Sequence, residues 1–215
     1  MQDFSRLNAP WSFREGFCEE SLEPPMSQAL CVFCSSSDAV APIFFETAEE
    51  VGARLAGQGY TLVYGGGRIG LMGALARAVH QNGGRVIGVI PEFLRSKGLA
   101  YEAADELVIT RDLRERKAAM EARADGFVTL PGGFGTLEEA LEIITLKQLG
   151  LHAKPVVMVN TQGFYNSLLE LVEHIYQERF AKPEYRRLYH FASDVGEVFN
   201  YLAAYQPAPV VNKWF

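Results

Sequence analysis

The chain reads as a single doubly wound (Rossmann-like) α/β domain, a parallel sheet with helices on both faces. Three observations predict it. Short, continuously apolar runs recur along the chain, amphipathic stretches of helical spacing separate them, and glycine-rich turns follow two of the runs. A strand that is apolar on both faces must be buried on both, which is the condition of a parallel sheet between two helix layers. In such sheets ligands gather beyond the carboxyl ends of the strands.

The elements follow in order. Residues 29–34, ALCVFC, form a buried strand, and 42–58 a helix with Phe44, Ala48, Val51 and Leu55 at helical spacing. TLVY at 61–64 is a strand, GGGRIG a loop, and 71–82 a helix ended by Gly83-Gly84. RVIGVI at 85–90 is a strand stopped by Pro91, and ELVIT at 106–110 another. Residues 113–124 make a helix, 126–130 a strand, 136–149 a helix and 155–159 a strand. A helix over 164–180 and a last short strand and helix within about 190–204 complete the domain, which runs from 29 to 215. Residues 1–28 mix polar side chains with Phe4, Trp11, Phe13 and Phe17, close on Pro24-Pro25, and read as an N-terminal extension.

Composition narrows the function. Of 215 residues, 48% are hydrophobic and 21% charged, enough for a packed core, and the net charge of −6 argues against a nucleic-acid binder. No apolar run is long enough to span a membrane, and residues 1–28 lack a signal peptide's apolar segment. Three cysteines, an odd number, point to a reducing compartment and a cytoplasmic protein. Cys31 and Cys34 are formally C-x-x-C, but residues three apart on a strand face opposite ways, so no metal is expected there.

Three features carry chemistry. Gly65-Gly66-Gly67-Arg68-Ile69-Gly70 satisfies the dinucleotide pattern G-x-G-x-x-G, although it follows the second strand rather than the first. Pro131-Gly132-Gly133-Phe134-Gly135-Thr136 ends a strand and opens a helix; its backbone N–H groups and the helix's positive end suit a phosphate. Arg116-Lys117 falls on or beside the apolar stripe of its helix, so Arg116 requires an anionic partner, a buried carboxylate or a ligand. Thr136-Leu137-Glu138-Glu139 also spells a capping box, with Thr136 as the cap and Glu139 in the first turn.

Arg116-Lys117-Ala118-Ala119-Met120 and Pro131 to Glu139 together resemble the R-K-x-x-M and P-G-G-x-G-T-x-x-E signature of the LOG (Lonely Guy) proteins. These are cytokinin riboside 5′-monophosphate phosphoribohydrolases, formerly labelled possible lysine decarboxylases. VYGGGRIGLMG at 63–73 and VIGVIP at 86–91 are similar to the same family, so the likeness spans about 29–180. The resemblance implies hydrolysis of the N-glycosidic bond of an adenosine 5′-monophosphate, often N6-substituted, to free base and ribose 5-phosphate. It implies Arg116 and Glu139 as the catalytic pair. Lys117, Met120, Gly66, Gly67, Gly132, Gly133, Phe134, Gly135, Thr136, Leu137, Glu138 and Thr145 would surround the nucleotide. No cofactor or metal is implied, and a homodimer or larger homo-oligomer is. Two departures bear on substrate preference: Ser35 where the family usually has glycine, and no glutamate at the matching place near Lys97.

The chemistry agrees. Cleaving a glycosidic bond passes through an oxocarbenium-like state that needs a nearby anion and an activated water. Glu139 would be held ionised by the helix dipole and Arg116. Two other functions compete: an NAD-dependent oxidoreductase resting on Gly65, Gly67 and Gly70, and a non-enzymatic carrier of a phosphorylated pterin-type cofactor. A pyridoxal-phosphate decarboxylase fits least, since only Lys117 and Lys147 lie near the motifs.

Overall fold

The computed structural model describes residues 28–207, so the expected extension lies outside the described residues except for Gln28. The elements are β1 (Ala29–Phe33), α1 (Pro42–Gly57), β2 (Thr61–Tyr64), α2 (Gly70–Gln81), β3 (Val86–Pro91), α3 (Glu92–Arg95) and β4 (Glu106–Thr110). They continue as α4 (Leu113–Arg123), β5 (Gly126–Thr129), α5 (Phe134–Gln148), β6 (Val156–Val159), α6 (Asn166–Gln177), β7 (His190–Ala192) and α7 (Val195–Ala204). The seven strands form one sheet in the order β4-β3-β2-β1-β5-β6-β7, and every pairing is parallel. The expected doubly wound α/β fold is present.

Strand β1 shows why both faces are covered. Leu30, Val32 and Cys34 enter one buried cluster with Val51, Leu55, Leu71, Leu75 and Val198 of α1, α2 and α7. Ala29, Cys31 and Phe33 enter the other, with Met120 of α4 and Ile143 of α5. Alternate residues of a strand face opposite ways, so the sheet needs a helix layer on each side. The two thiols are free, buried and on opposite faces, as the strand period requires.

The strand order reverses at β1: β2, β3 and β4 succeed one another on one side of it and β5, β6 and β7 on the other, all parallel. A crevice opens there at the carboxyl ends, because the flanking connections lead to opposite sides. The loop after β1 and the Pro131 loop after β5 line it, with the Gly65 loop after β2 beside them.

Some boundaries and elements differ from expectation. Helix α6 starts at Asn166, not 164, because Asn160 Oδ1 captures the Tyr165 N–H at 2.7 Å and a 3-10 turn, Thr161–Gly163, intervenes. The short α3 and a 3-10 segment at Pro183–Leu188 were not anticipated. Helix α5 begins at Phe134, two residues early. Among the described residues no helix is long and apolar enough to cross a membrane.

Candidate active site

Helix α5 leaves β5 through Pro131-Gly132-Gly133 with Gly133 as its N-cap, in an extended conformation (φ −86°, ψ −158°) and with no side-chain cap. The expected capping box is therefore absent. Thr136 lies inside the first turn and is buried, and Glu139 sits in the second turn rather than the first. The reason is the glycine pair: a residue without a side chain can cap by conformation alone, so the helix starts before Thr136. The first-turn N–H groups have no acceptor within the helix, and they sit at its positive end.

Helix α4 supplies the other half of the site. Asp112 caps it, accepting from the N–H groups of Arg114 and Glu115, both at 2.9 Å. Met120, 1% exposed, packs in the core, and Arg116, one turn earlier, follows it onto the same inward face. Arg116 Nε donates to the Val89 carbonyl at 3.0 Å, and Nη1 donates to Glu139 Oε1 at 2.5 Å. The side chains are 9% and 8% exposed, so the ion pair is sheltered from water. Both partners the sequence left open, a carboxylate and a ligand, remain compatible with Arg116: Nη2 is not used in either bond.

Burial pushes the Glu139 carboxyl above its ordinary range, against the lowering effect of Arg116. Burial thus opposes the helix dipole and Arg116, which were expected to hold it ionised. A second-turn position weakens the dipole, and desolvation outweighs the pairing.

Lys117 Nζ reaches Glu142 Oε2 at 2.9 Å and also bonds Glu138. These groups edge a cavity of about 340 Å³ between α4 and α5, lined among others by Phe33, Arg114, Lys117, Glu139 and Glu142. The Glu139 carboxyl thus opens into a space rimmed by both signs of charge.

The remaining candidates separate into two sets. Gly132, Gly133, Phe134, Gly135 and Glu138 gather at the start of α5, and Phe134 is 94% exposed. Thr136 packs against Gly132, where no β-carbon would fit, so it shapes the loop from beneath. Leu137 turns toward the packing of Ala140, Met158 and Tyr165. Thr145 is exposed near the far end of α5 and donates to the Leu141 carbonyl at 2.7 Å, away from the cradle. Met120 supports α4 from the core rather than facing the cavity.

The loop after β2 is busy with the protein itself. The Gly66 carbonyl accepts from Tyr101 N–H at 2.9 Å, and the Gly67 carbonyl from the Tyr64 hydroxyl at 3.2 Å. Gly70 has φ +60° and lies against the Ser36–Ser37 backbone, where a β-carbon would come 2.7 Å from the Ser36 carbonyl oxygen. Loop packing thereby occupies the carbonyls of Gly66 and Gly67 and requires a glycine at position 70.

Comparison with known proteins decides the lineage. A family model described as possible lysine decarboxylase matches residues 72–202. The cytokinin riboside 5′-monophosphate phosphoribohydrolase LOG7 of Arabidopsis thaliana is 44% identical over 178 residues, 83% of this chain and 82% of that protein. The chain belongs to the LOG family. A probable cytokinin riboside 5′-monophosphate phosphoribohydrolase of Oryza sativa subsp. japonica, LOGL9, is also 44% identical, over 83% of this chain and 78% of its own. Solved structures share the fold. A molybdenum cofactor binding protein from Rippkaea orientalis superposes with a TM-score of 0.63 at 17% identity, over 83% of this chain and 96% of that one. The molybdenum cofactor carrier protein of Chlamydomonas reinhardtii gives 0.61 at 22% identity, over 83% and 99%.

Within this LOG chain the two departures are accommodated. Ser35 is half-buried and its Oγ accepts from the Ser37 N–H at 3.0 Å, so the β-carbon lies within a local turn. Near Lys97, Arg95 pairs with Glu102 at 3.0 Å on the surface. Sequence reasoning did not find Glu142 or the Val89 carbonyl, because neither belongs to a motif and both reach the site only through packing.

Proposed function

We propose that the protein is an N-glycosyl hydrolase of adenosine 5′-monophosphates, in particular N6-substituted ones of the cytokinin riboside type, releasing free base and ribose 5-phosphate. The observation that carries this is the buried Arg116–Glu139 pair beside the uncapped start of α5. The substrate phosphate binds at the Gly132–Gly135 cradle, where free N–H groups and the helix's positive end meet it. Glu139, ionised, stabilises the positive charge that develops on the ribose as the C1′–N bond breaks and its electron pair leaves with the base. It takes a proton from the attacking water, whose oxygen bonds C1′, and that proton passes to the departing base. Arg116 holds the carboxylate in place. Phosphate binding, remote from the bond that breaks, is spent on orienting that bond.

Among the described residues, neither lysine near the motifs fits a pyridoxal phosphate. Lys117 is held by two glutamates, and Lys147 is buried with its ammonium 4.9 Å from the centre of the Tyr205 ring. The active unit is a homodimer joined near α5, a reading supported by exposed Leu141 on that helix, Leu149 at its C-cap and Leu151 just beyond. We place the protein in the cytoplasm, which suits its buried free thiols.

The test is direct. Purified protein is incubated with AMP and with N6-isopentenyl-AMP, and free base and ribose 5-phosphate are quantified. Equal amounts of the two products establish the reaction; absence of turnover on both rejects it in favour of a carrier.

A further inference from the structure

Gly65 follows β2 and is buried. A β-carbon built on it would overlap Nη2 of Arg116 and lie 3.1 Å from Cζ and 3.3 Å from Met72 Sδ. Positive φ angles occur at Gly66 and Gly70 of this loop, but not at Gly65. Its backbone conformation therefore suits any residue, and only space excludes a side chain.

We propose that Gly65 is a positioning residue for N-glycosidic hydrolysis: its missing side chain opens the slot in which the Arg116 guanidinium lies. This rests on the hydrolase reading above. The guanidinium is planar, so its three nitrogens move together. Nε is tied to Val89, Nη1 to Glu139, and Nη2 lies over the Gly65 Cα. A methyl group at 65 pushes Nη2 away, and the plane can yield only by rotating Nη1 off the carboxylate. The clash falls on the far end of a long side chain, so the arginine moves and the sheet does not. Displacement of a reacting group by about 1 Å is enough to cost about 100-fold in rate. The glycine run after β2 thus serves the arginine rather than a dinucleotide.

The experiment compares Gly65→Ala in the wild-type and Arg116→Lys backgrounds, a double-mutant cycle. Lysine has no Nη2, so the added methyl meets nothing there. In the wild-type background Gly65→Ala is expected to keep the KM, to lower kcat about 100-fold or more, and to lower the melting temperature at neutral pH by no more than Arg116→Ala does. In the Arg116→Lys background it changes kcat by less than about three-fold. A readout that needs no substrate is the titration of the Glu139 carboxyl by carbon NMR. Arg116 and Lys117 of α4 and Glu138 of its own helix act on this group, and its charge in turn acts on the buried thiols of Cys31 and Cys34. Removing the arginine from contact moves its titration to higher pH.

Equal losses in both backgrounds, or an unchanged kcat together with an unshifted titration, overturn the proposal. If Gly65→Ala fails to fold, folding restored by Arg116→Lys supports it and folding not restored overturns it. If the wild type hydrolyses no nucleotide, the hydrolase reading fails, and the titration still decides whether Gly65 places the guanidinium.

Discussion

The guanidinium of Arg116 donates to the carboxylate of Glu139 at 2.5 Å from a different helix, with both side chains less than a tenth exposed. The pair joins α4 to α5 across the site, and its members depend on each other for both stability and charge.

The Glu139→Gln variant removes the charge and the base while keeping the shape. Since Glu139 is no capping residue, the helix start is untouched. The expected result is a kcat lower by about 100-fold or more, with nucleotide binding retained by the glycine cradle. Near-normal turnover, measured by base release, would sink the mechanism.

Arg116→Ala leaves Glu139 buried without its partner. Breaking a buried pair in this way costs about 3–5 kcal/mol at neutral pH. The cost has a sign in pH. The folded-state pKa of Glu139 is already raised, and losing Arg116 raises it further. The unfolded chain then releases this proton at lower pH than the folded one, so stability falls as pH rises through the ordinary value of about 4.3. The melting-temperature gap between variant and wild type should narrow as pH is lowered toward about 4. A gap independent of pH between about 4 and 7 would contradict this account.

The same shift predicts the acid limb of the activity. Glu139 works ionised, and burial holds its titration above the usual glutamate value. The kcat/KM profile should therefore rise with pH through a midpoint above about 4.3. A midpoint at or below that value would show that another group controls the limb.

Lys117 is 19% exposed and bonds carboxylates that are themselves about half exposed. Pairs of this kind contribute at most about 1 kcal/mol. Lys117→Ala should leave the melting temperature close to that of the wild type and raise KM for the nucleotide several-fold. Thermal melts and steady-state kinetics on the same preparation check both halves.

Leu141 of helix α5 and Leu149 at its C-cap, each 45% exposed, lie on a surface that a second copy would cover. Light scattering should give twice the mass of one chain. Leu141→Glu should halve that mass; a wild-type monomer at micromolar concentration would refute the dimer.

The sequence determined most of the fold. Continuous apolar strands such as β1 and β6 have no stable place except between two helix layers, and that requirement is local and legible. It also determined the parts of the site. Arg116 on the inward stripe and the Pro131-Gly132-Gly133 turn are stated by residue type and spacing alone. The start of α5 was less legible: Thr136 and Glu139 spell a capping box, yet a glycine N-cap competes at the same place and begins the helix earlier. What only the tertiary structure decided is which groups meet. The partner of Arg116 is 23 residues away on another helix, and the space for its guanidinium comes from Gly65 on a third segment. The charge state of Glu139 likewise follows from how deeply the α4–α5 packing buries it. Local rules set the conformation of each segment, but contacts and desolvation arise only when the segments close on one another.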